Sequence, residues 1–204
     1  MKVLIACEYS GRVRDAFIAR GHEAISCDLL PTDKPGPHYQ GDVFDLLSEQ
    51  WDLIIAHPPC TCLTVAGNGT YGEGKPRYNE RLESVQWTMD FWEMCKAISP
   101  RVCFENPVGV LSRLGGMIKA SYIQPYQFGH LEQKKTGLFL HGLPSLIETD
   151  NVYIEMMKLP KNKRQRLHYL PPSVDRWKIR STTYQGIADA MASQWSNLGQ
   201  GTRS

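Results

Sequence analysis

Short apolar runs alternate with stretches of helical period along the first half of the chain. KVLIA, near the start, is a β-rich run followed by polar residues and Gly11. From Arg12 to Arg20 the spacing predicts a helix, with Val13, Phe17 and Ile18 on one face and Gly21 placed to end it. EAISCD reads as a second strand ending in Asp28, and LLPTDKPGP as a Pro/Gly-rich loop. Asp42 follows Gly41 and opens FDLL. WDLIIA is a third strand, continuous and apolar as a buried parallel strand is. An amphipathic segment from about Tyr78 to Ile98 predicts a long helix, with Val85, Met89, Trp92 and Met94 lining its buried side. Pro100 ends it. RVCFENP reads as the next strand, and the segments around YIQPYQF and TGLFLHG as two more.

Strand, helix and strand repeated with crossover-length connections imply an α/β fold with a doubly wound, mainly parallel sheet. No internal repeat or linker divides the chain, so a single domain over residues 1–204 is expected. In such sheets ligands sit beyond the carboxyl ends of the strands. That predicts function at Glu8 to Gly11, Asp28, Asp42, His57 to Thr64 and Glu105 to Pro107.

Composition changes this picture little. Hydrophobic residues at 42% and charged residues at 22% are ordinary for a folded globular chain. No stretch approaches the roughly 20 apolar residues of a membrane span. The start, MKVLIACEYSGR, is too short and too quickly polar for a secretory signal, so a cytoplasmic location is expected. Of the six cysteines only Cys60 and Cys62 are close, a poor zinc signature, and no metal site is expected. Cysteines in apolar runs such as VLIAC, AISC and RVCF behave as small buried hydrophobes. The net charge of +2 excludes nothing, but Lys158 to Arg180 is strongly basic with interleaved aromatics. It is either a solvated loop or a phosphate-contacting surface, the second being favoured.

Two segments carry chemistry. In WDLIIAHPPCTCLT a buried strand runs into Pro58 and Pro59, which fix the backbone and hold Cys60 rigidly over the sheet edge. The alternative is an ordinary Pro-rich turn with an incidental cysteine. In VCFENPVG, at the end of a neighbouring strand, Glu105 and Asn106 are expected to project into the same crevice. The alternative for Glu105 is a cap on a helix starting near Val108.

Together these segments resemble the DNA cytosine-5 methyltransferase family. That family has Pro-Pro-Cys after a strand beginning with Asp, and later Phe-Glu-Asn. Here they stand as Asp52, then Pro58-Pro59-Cys60, then Phe104-Glu105-Asn106-Pro107. The resemblance implies a Rossmann-like class I methyltransferase fold with S-adenosylmethionine as cofactor. It implies DNA as partner, the target cytosine flipped from a duplex. It also implies a mechanism. Carbon 5 of cytosine is a poor nucleophile, and a Cys60 thiolate adding at carbon 6 gives an enamine that is nucleophilic at carbon 5. Glu105, with Asn106 beside it, holds N3 and the exocyclic amine as charge develops. Carbon 5 takes the methyl group from the sulfonium, and loss of the carbon-5 proton expels Cys60.

The family's Gly-rich first motif stands here as ACEYSGRVRDAF, which keeps Gly11 and Phe17 but lacks the multiple glycines. By resemblance Glu8, Tyr9, Ser10 and Gly11 face the cofactor. Asp28, with Leu29, falls where an acid accepts from ribose hydroxyls. Asp42 falls where an acid contacts adenine, and Pro58 joins this group. Each Asp alone also suits a turn or cap. EQKKTGLFL resembles the eighth motif, with Gln133 and Lys135 matching and Gly137 in place of its second Arg. Lys135 is thereby a candidate for the base carbonyl or a phosphate, against the alternative of a surface lysine. RSTTYQGIADAMASQW resembles the last motif, making Thr183, Gln185 and Gly186 cofactor candidates, while Ile187, Met191 and Trp195 pack that helix.

Only residues 141–180 occupy the place of the family's target-recognition region. The chain is therefore similar to the compact members common in phages and prophages. A small basic insertion holds phosphates but offers few side chains to read base edges. The loop from Thr61 to Tyr78 is expected to be mobile and to close over the flipped base, or else to be a plain surface loop. Three other readings stay open. Amino-group methyltransferases also carry Pro-Pro, but with Asp, Asn or Ser before it and an aromatic residue after, where this chain has His57 and Cys60. The cytosine can belong to RNA or a free nucleotide. The fold can also serve an inactive nucleic-acid- or cofactor-binding module.

Overall fold

The continuous apolar runs become the central strands. β1 (Lys2–Ala6) lies between β2 (Glu23–Asp28) and β4 (Leu53–Ala56), and β4 pairs with β5 (Val102–Pro107), all parallel. β3 (His38–Gln40) adds a parallel edge beyond β2. β7 (Thr136–His141) runs antiparallel to β5, and β6 (Ser121–Ile123) antiparallel to β7. The resulting order is β3-β2-β1-β4-β5-β7-β6. This computed structural model describes residues 1–196 and Leu198.

Side chains alternate across each strand, so the sheet has two apolar faces. On one, Val3, Ile5, Leu53, Ile55, Cys103 and Leu138 pack beneath α1 (Arg12–Ile18) and α8 (Gln185–Trp195). Ile187, Met191 and Trp195 of α8 are buried there, as their spacing predicts. On the other face Leu4, Ile54, Ala56, Phe104 and Phe139 meet α3 (Tyr78–Ile98).

The helices differ in detail from the pattern reading. α1 buries Val13 and Phe17, but Ile18 is 39% exposed because the helix stops there. Gly21 at φ 78° closes it. Its N–H donates to the Ile18 carbonyl and that of His22 to the Phe17 carbonyl, a Schellman ending. The buried stripe of α3 is Arg81, Val85, Thr88, Trp92 and Cys95, steps of three and four. Met89 is half-buried and Met94 exposed, so the expectation for Met94 is corrected: two polar residues, Arg81 and Thr88, fill the stripe.

β3 carries no apolar pattern and goes unmarked in the sequence. Beyond it, Asp42 caps a 3-10 turn over Val43–Leu46. The strand expected around YIQPYQF is confined to Ser121–Ile123, since Pro125 opens a 3-10 turn instead. Short helices fill the connections. α2 (Asn68–Tyr71) follows β4, and α4 (Leu111–Leu114) follows β5. Between β7 and α8 stands a small lobe of α5 (Tyr153–Met157), α6 (Lys161–Arg164) and α7 (Arg176–Ser181).

Candidate active site

The parallel register of β4 on β5 sets the site. Ile55 lies beside Cys103 and Ala56 beside Phe104. One step further, His57 comes level with Glu105, and Nδ1 of His57 is 2.9 Å from Oε2 of Glu105. Both side chains are nearly covered, at 10% and 12% exposure. Asn106, the next residue on the strand, turns to the opposite face. It is 1% exposed, and its Nδ2 donates to the Pro58 carbonyl at 3.4 Å. Glu105 and Asn106 therefore do not share a crevice: Glu105 faces it, and Asn106 braces the proline turn from behind. Glu105 is no helix cap either, since α4 begins at Leu111 with Val110 as its N-cap.

Cys60 opens the turn beyond the prolines. Its carbonyl accepts the N–H groups of Leu63 and Thr64, both at 3.0 Å. Burial pushes its thiol above the ordinary value and the Glu105 charge adds to this, while Lys134, its own backbone N–H and Arg180 oppose the rise. Burial also pushes the Glu105 carboxyl up. The His57 hydrogen bond and the Lys134 and His57 charges outweigh that and hold it below the usual range.

The cation of this crevice is Lys134, not Lys135. Alternation into β7 puts Lys134 and Thr136 on one side and Lys135 on the other. Lys134 and Thr136 line a narrow cleft with Glu105, Thr183, Tyr184 and Ile187. The Lys135 ammonium lies 4.5 Å over the Tyr122 ring. Gln133 points to the lobe, where its Oε1 accepts from Gln165 at 3.0 Å.

The loop expected to close over the site is fastened at its start. Arg81, buried in α3, donates to the Cys62 carbonyl at 2.7 Å, to Asn68 Oδ1 at 2.8 Å and to the Thr64 carbonyl at 3.1 Å. The Val65 N–H donates to the Val108 carbonyl and the Val110 N–H to the Leu63 carbonyl. A closing motion would have to come from residues after Asn68.

On the other side of the proline turn lie the cofactor candidates. Cys7 leaves β1 at φ 56°, the one left-handed non-glycine among the described residues. That conformation costs about 1–2 kcal/mol and makes a sharp exit from the strand. Burial, then the charge of Asp28, pushes the Cys7 thiol up to about 12. Glu8 is engaged within the fold: its Oε1 accepts the Ser10 hydroxyl at 2.8 Å and the Val13 N–H at 2.9 Å, capping α1 after Gly11 at φ 70°. The Tyr9 hydroxyl donates to the Lys178 carbonyl at 2.8 Å, and its ring packs 5.6 Å from that of Trp177. The side chains of Glu8, Tyr9 and Ser10 thus have partners inside the protein, and Tyr9 ties α7 to the β1 loop.

Asp28 ends β2 half-buried. Burial raises its carboxyl, and its Oδ1 accepts the Leu30 N–H at 3.0 Å. Leu29 is 73% exposed. Oδ1 of Asp42 accepts the Phe44 N–H at 3.0 Å. A cavity of about 270 Å³ is lined by Pro59, Glu83, Ser84, Trp87 and Thr88. Pro58 is buried, and the proline facing this cavity is Pro59. Trp87 stacks edge-on to Phe44 at 5.8 Å and leans on Phe91 at 5.3 Å. Trp87 goes unnoticed in the sequence, although it sits in the predicted helix.

At the head of α8, Thr183 reaches the Glu105 cleft, and its carbonyl accepts from Arg12 at 3.1 Å. Gln185 donates to Asp189 at 2.9 Å within the helix. The Gly186 N–H donates to His130 Nε2 at 2.9 Å, and a Cβ there would stand 2.0 Å from the Phe128 carbonyl oxygen. Close packing on Phe128 accounts for Gly186 without a ligand.

No protein-family model matches the chain, and no curated protein matches it at a significant level. Among solved structures, it is similar to an E. coli protein assigned as a DNA modification methyltransferase encoded within a prophage. That likeness has TM-score 0.46 and 14% identity over 78% of this chain and 55% of the other. It is similar to S. pombe Dnmt2 methyltransferase (TM-score 0.44, 12% identity, 85% and 60% of the chains). It is also similar to WbdD in complex with a kinase inhibitor (TM-score 0.41, 12% identity, 73% and 38%). The chain spans between 38% and 60% of the lengths of these structures. No helix among the described residues is long and apolar enough to cross a membrane. The strand order itself, five parallel strands followed by an antiparallel β7 inserted before β6, is that of the Rossmann-like class I methyltransferase fold.

Proposed function

We propose that the chain is an S-adenosylmethionine-dependent methyltransferase acting on carbon 5 of cytosine in DNA, with Cys60 as nucleophile. The observation that carries this reading is one arrangement at the sheet edge. Cys60 heads a rigid turn after β4, within reach of the charges of Glu105, near the end of the adjacent β5, and of Lys134, which shares a cleft with Glu105 just before β7.

The residues present fit the cofactor. Asp28 ends β2 and Asp42 stands just past the end of β3, where carboxylates accept from hydroxyl and amino groups. Pro59 and Trp87 give the cavity an apolar wall suited to a flat ring. When bound, S-adenosylmethionine supplies a methyl group on a sulfonium. The protein's own share follows from its geometry. The Cys60 thiolate adds to carbon 6, Glu105 holds N3 and the exocyclic amine, and Lys134 offsets negative charge on the ring. Asn106, through Pro58, fixes where the thiol stands.

DNA is the favoured substrate because the lobe before α8 is basic. Its Arg166 is paired with Glu132 and its Lys178 with Asp33, while Lys158, Lys161, Lys163 and Arg180 form no ion pair among the described residues. Unpaired cations on one lobe suit phosphates. Bisulfite sequencing of DNA from cells expressing the chain tests the reading. Methylated cytosines are expected with the native chain and none with Cys60→Ser. Methyl transfer confined to RNA or free nucleotide would retire DNA as substrate, and methylation by Cys60→Ser would retire the nucleophile.

A further inference from the structure

Resting on that reading, we infer that Trp177 is the face on which a base flanking the target cytosine stacks, so that the lobe holds an unpaired or locally opened DNA strand. Its exposure, its support, its neighbours and its place carry this. Trp177 lies in α7 and is 53% exposed. Of the five tryptophans, Trp51, Trp92 and Trp195 are buried and Trp87 is half-buried, so Trp177 alone is left open. Its ring leans on that of Tyr9 at 5.6 Å. Tyr9 is itself fixed, 7% exposed, with its hydroxyl 2.8 Å from both the Lys178 carbonyl and Ser181 Oγ. The open ring thus stands on a rigid support and loses little freedom when a ligand covers it. Beside it Arg176 and Arg180 form no ion pair among the described residues.

Phosphates alone account for the cations but not for the ring. An indole face gains by covering another flat ring, and inside an intact duplex each base face is already covered by its neighbours. A strand with an unstacked base offers both halves of the match, phosphates for Arg176 and Arg180 and a π face for Trp177. Stacking is indifferent to which base is presented, which suits a lobe with few side chains to read base edges. The place fits as well. From Trp177 the chain runs in the helix to Ser181 and on to Thr183, which lines the Glu105 cleft. Four helical steps and two extended ones span at most about 13 Å. A strand covers that in a few nucleotides, at about 3.4 Å each when stacked. Arg180, one helical turn past Trp177, is close enough for its charge to oppose the rise of the Cys60 thiol. A base on Trp177 therefore belongs to the same short stretch of strand as a cytosine held against Glu105. Extruding a cytosine costs its stacking, and a strand already opened at that point avoids part of the cost.

Binding of short DNA probes, read by fluorescence anisotropy, tests this with native chain, Trp177→Phe, Trp177→Ala and Arg180→Ala. The probes come in two pairs matched in charge. In the first pair a single strand carries its cytosine between ordinary bases or between abasic sites, which keep the phosphates and remove the stacking partners. In the second pair a duplex carries its cytosine beside an unpaired bulged base or fully paired. Native chain should bind the first probe of each pair about 10-fold more tightly, the contribution of one stacked base. Trp177→Ala should bind both probes of a pair alike, and Trp177→Phe should restore most of the difference. Arg180→Ala should weaken binding to all four together, as a lost phosphate contact does. Equal native affinities within either pair, or a Trp177→Ala chain that still discriminates, would overturn the inference. The native comparison decides the matter even where Trp177→Ala fails to fold. Fluorescence quenching by S-adenosylmethionine alone, present in native chain and absent in Trp177→Phe, would overturn it too by placing the ring against the cofactor. Methyl transfer measured separately on the same probes keeps the two readings apart. A chain that methylates the cytosine without discriminating within the pairs loses the stacking role alone, and one that discriminates yet methylates no cytosine substrate loses the proposed activity alone.

Discussion

Arg81 of α3 donates its Nε–H to the carbonyl of Cys62, two residues past the candidate nucleophile, at 2.7 Å. Arg81 is 1% exposed, and its other two contacts, to Thr64 and Asn68, hold the same loop. Replacing it by Met keeps the stem and removes all the donors. Arg81→Met should cost about 2–4 kcal/mol in urea denaturation, the range for charged donors leaving buried acceptors. It should also expose the 61–78 loop to protease in the folded protein. An unchanged midpoint and cleavage pattern would show that the loop is held by something else.

The two adjacent lysines make opposite predictions. Lys134 faces Glu105, and Lys135 lies on the Tyr122 ring. Lys134→Ala should lower the methyl-transfer rate by roughly 100-fold, as expected for a preorganised charge beside a developing anion. Lys135→Ala should change it by no more than a few-fold, since a surface cation–π contact contributes about 0.5–1 kcal/mol. Parallel rate measurements on the two variants decide the assignment.

This pair also marks the limit of what the chain reveals before folding. The central strands were legible because VLIA, LIIA and VCF are continuous apolar runs, and parallel strands buried on both faces need such runs. The proline turn and Cys60 were legible because Pro58 and Pro59 follow such a run and fix the backbone. Motif resemblance, by contrast, matches residue types without fixing strand parity. It favoured Lys135 over Lys134 and placed Asn106 beside Glu105, although neighbours on a strand face opposite ways. The partnership of His57 with Glu105 depends on inter-strand register, which no local pattern encodes. β3 stayed invisible because three edge residues bury too little to need an apolar pattern.

The raised thiol of Cys60 gives a prediction independent of substrate. Burial, then Glu105, favours the protonated form. Because the thiolate is the reactive species, alkylation of Cys60 by iodoacetamide should be slow at neutral pH and rise through and above the ordinary thiol range. Glu105→Gln removes a negative neighbour and should shift that rise to lower pH. Lys134→Ala removes a positive one and should shift it higher. Mass spectrometry of the Cys60 peptide over a pH series reads all three curves. Identical curves would mean that neither charge is felt at the sulfur.

Gly186 separates packing from ligand contact. A methyl group there would strike the Phe128 carbonyl oxygen, which belongs to backbone and cannot swing aside. Gly186→Ala should lower stability by about 1–3 kcal/mol in chemical denaturation with no ligand present. Native stability combined with weakened S-adenosylmethionine binding would instead assign this glycine to the cofactor.

The central claim is that Cys60 forms a bond to carbon 6 of a cytosine presented against Glu105. Duplex DNA containing 5-fluorocytosine tests it, because fluorine cannot leave as the carbon-5 proton does and the adduct is trapped. Incubated with S-adenosylmethionine, the native chain should yield a denaturant-stable protein–DNA complex whose cross-linked peptide contains Cys60, and Cys60→Ser should yield none. A native chain that methylates cytosine yet leaves no such complex, or a complex anchored at another residue, would contradict the account.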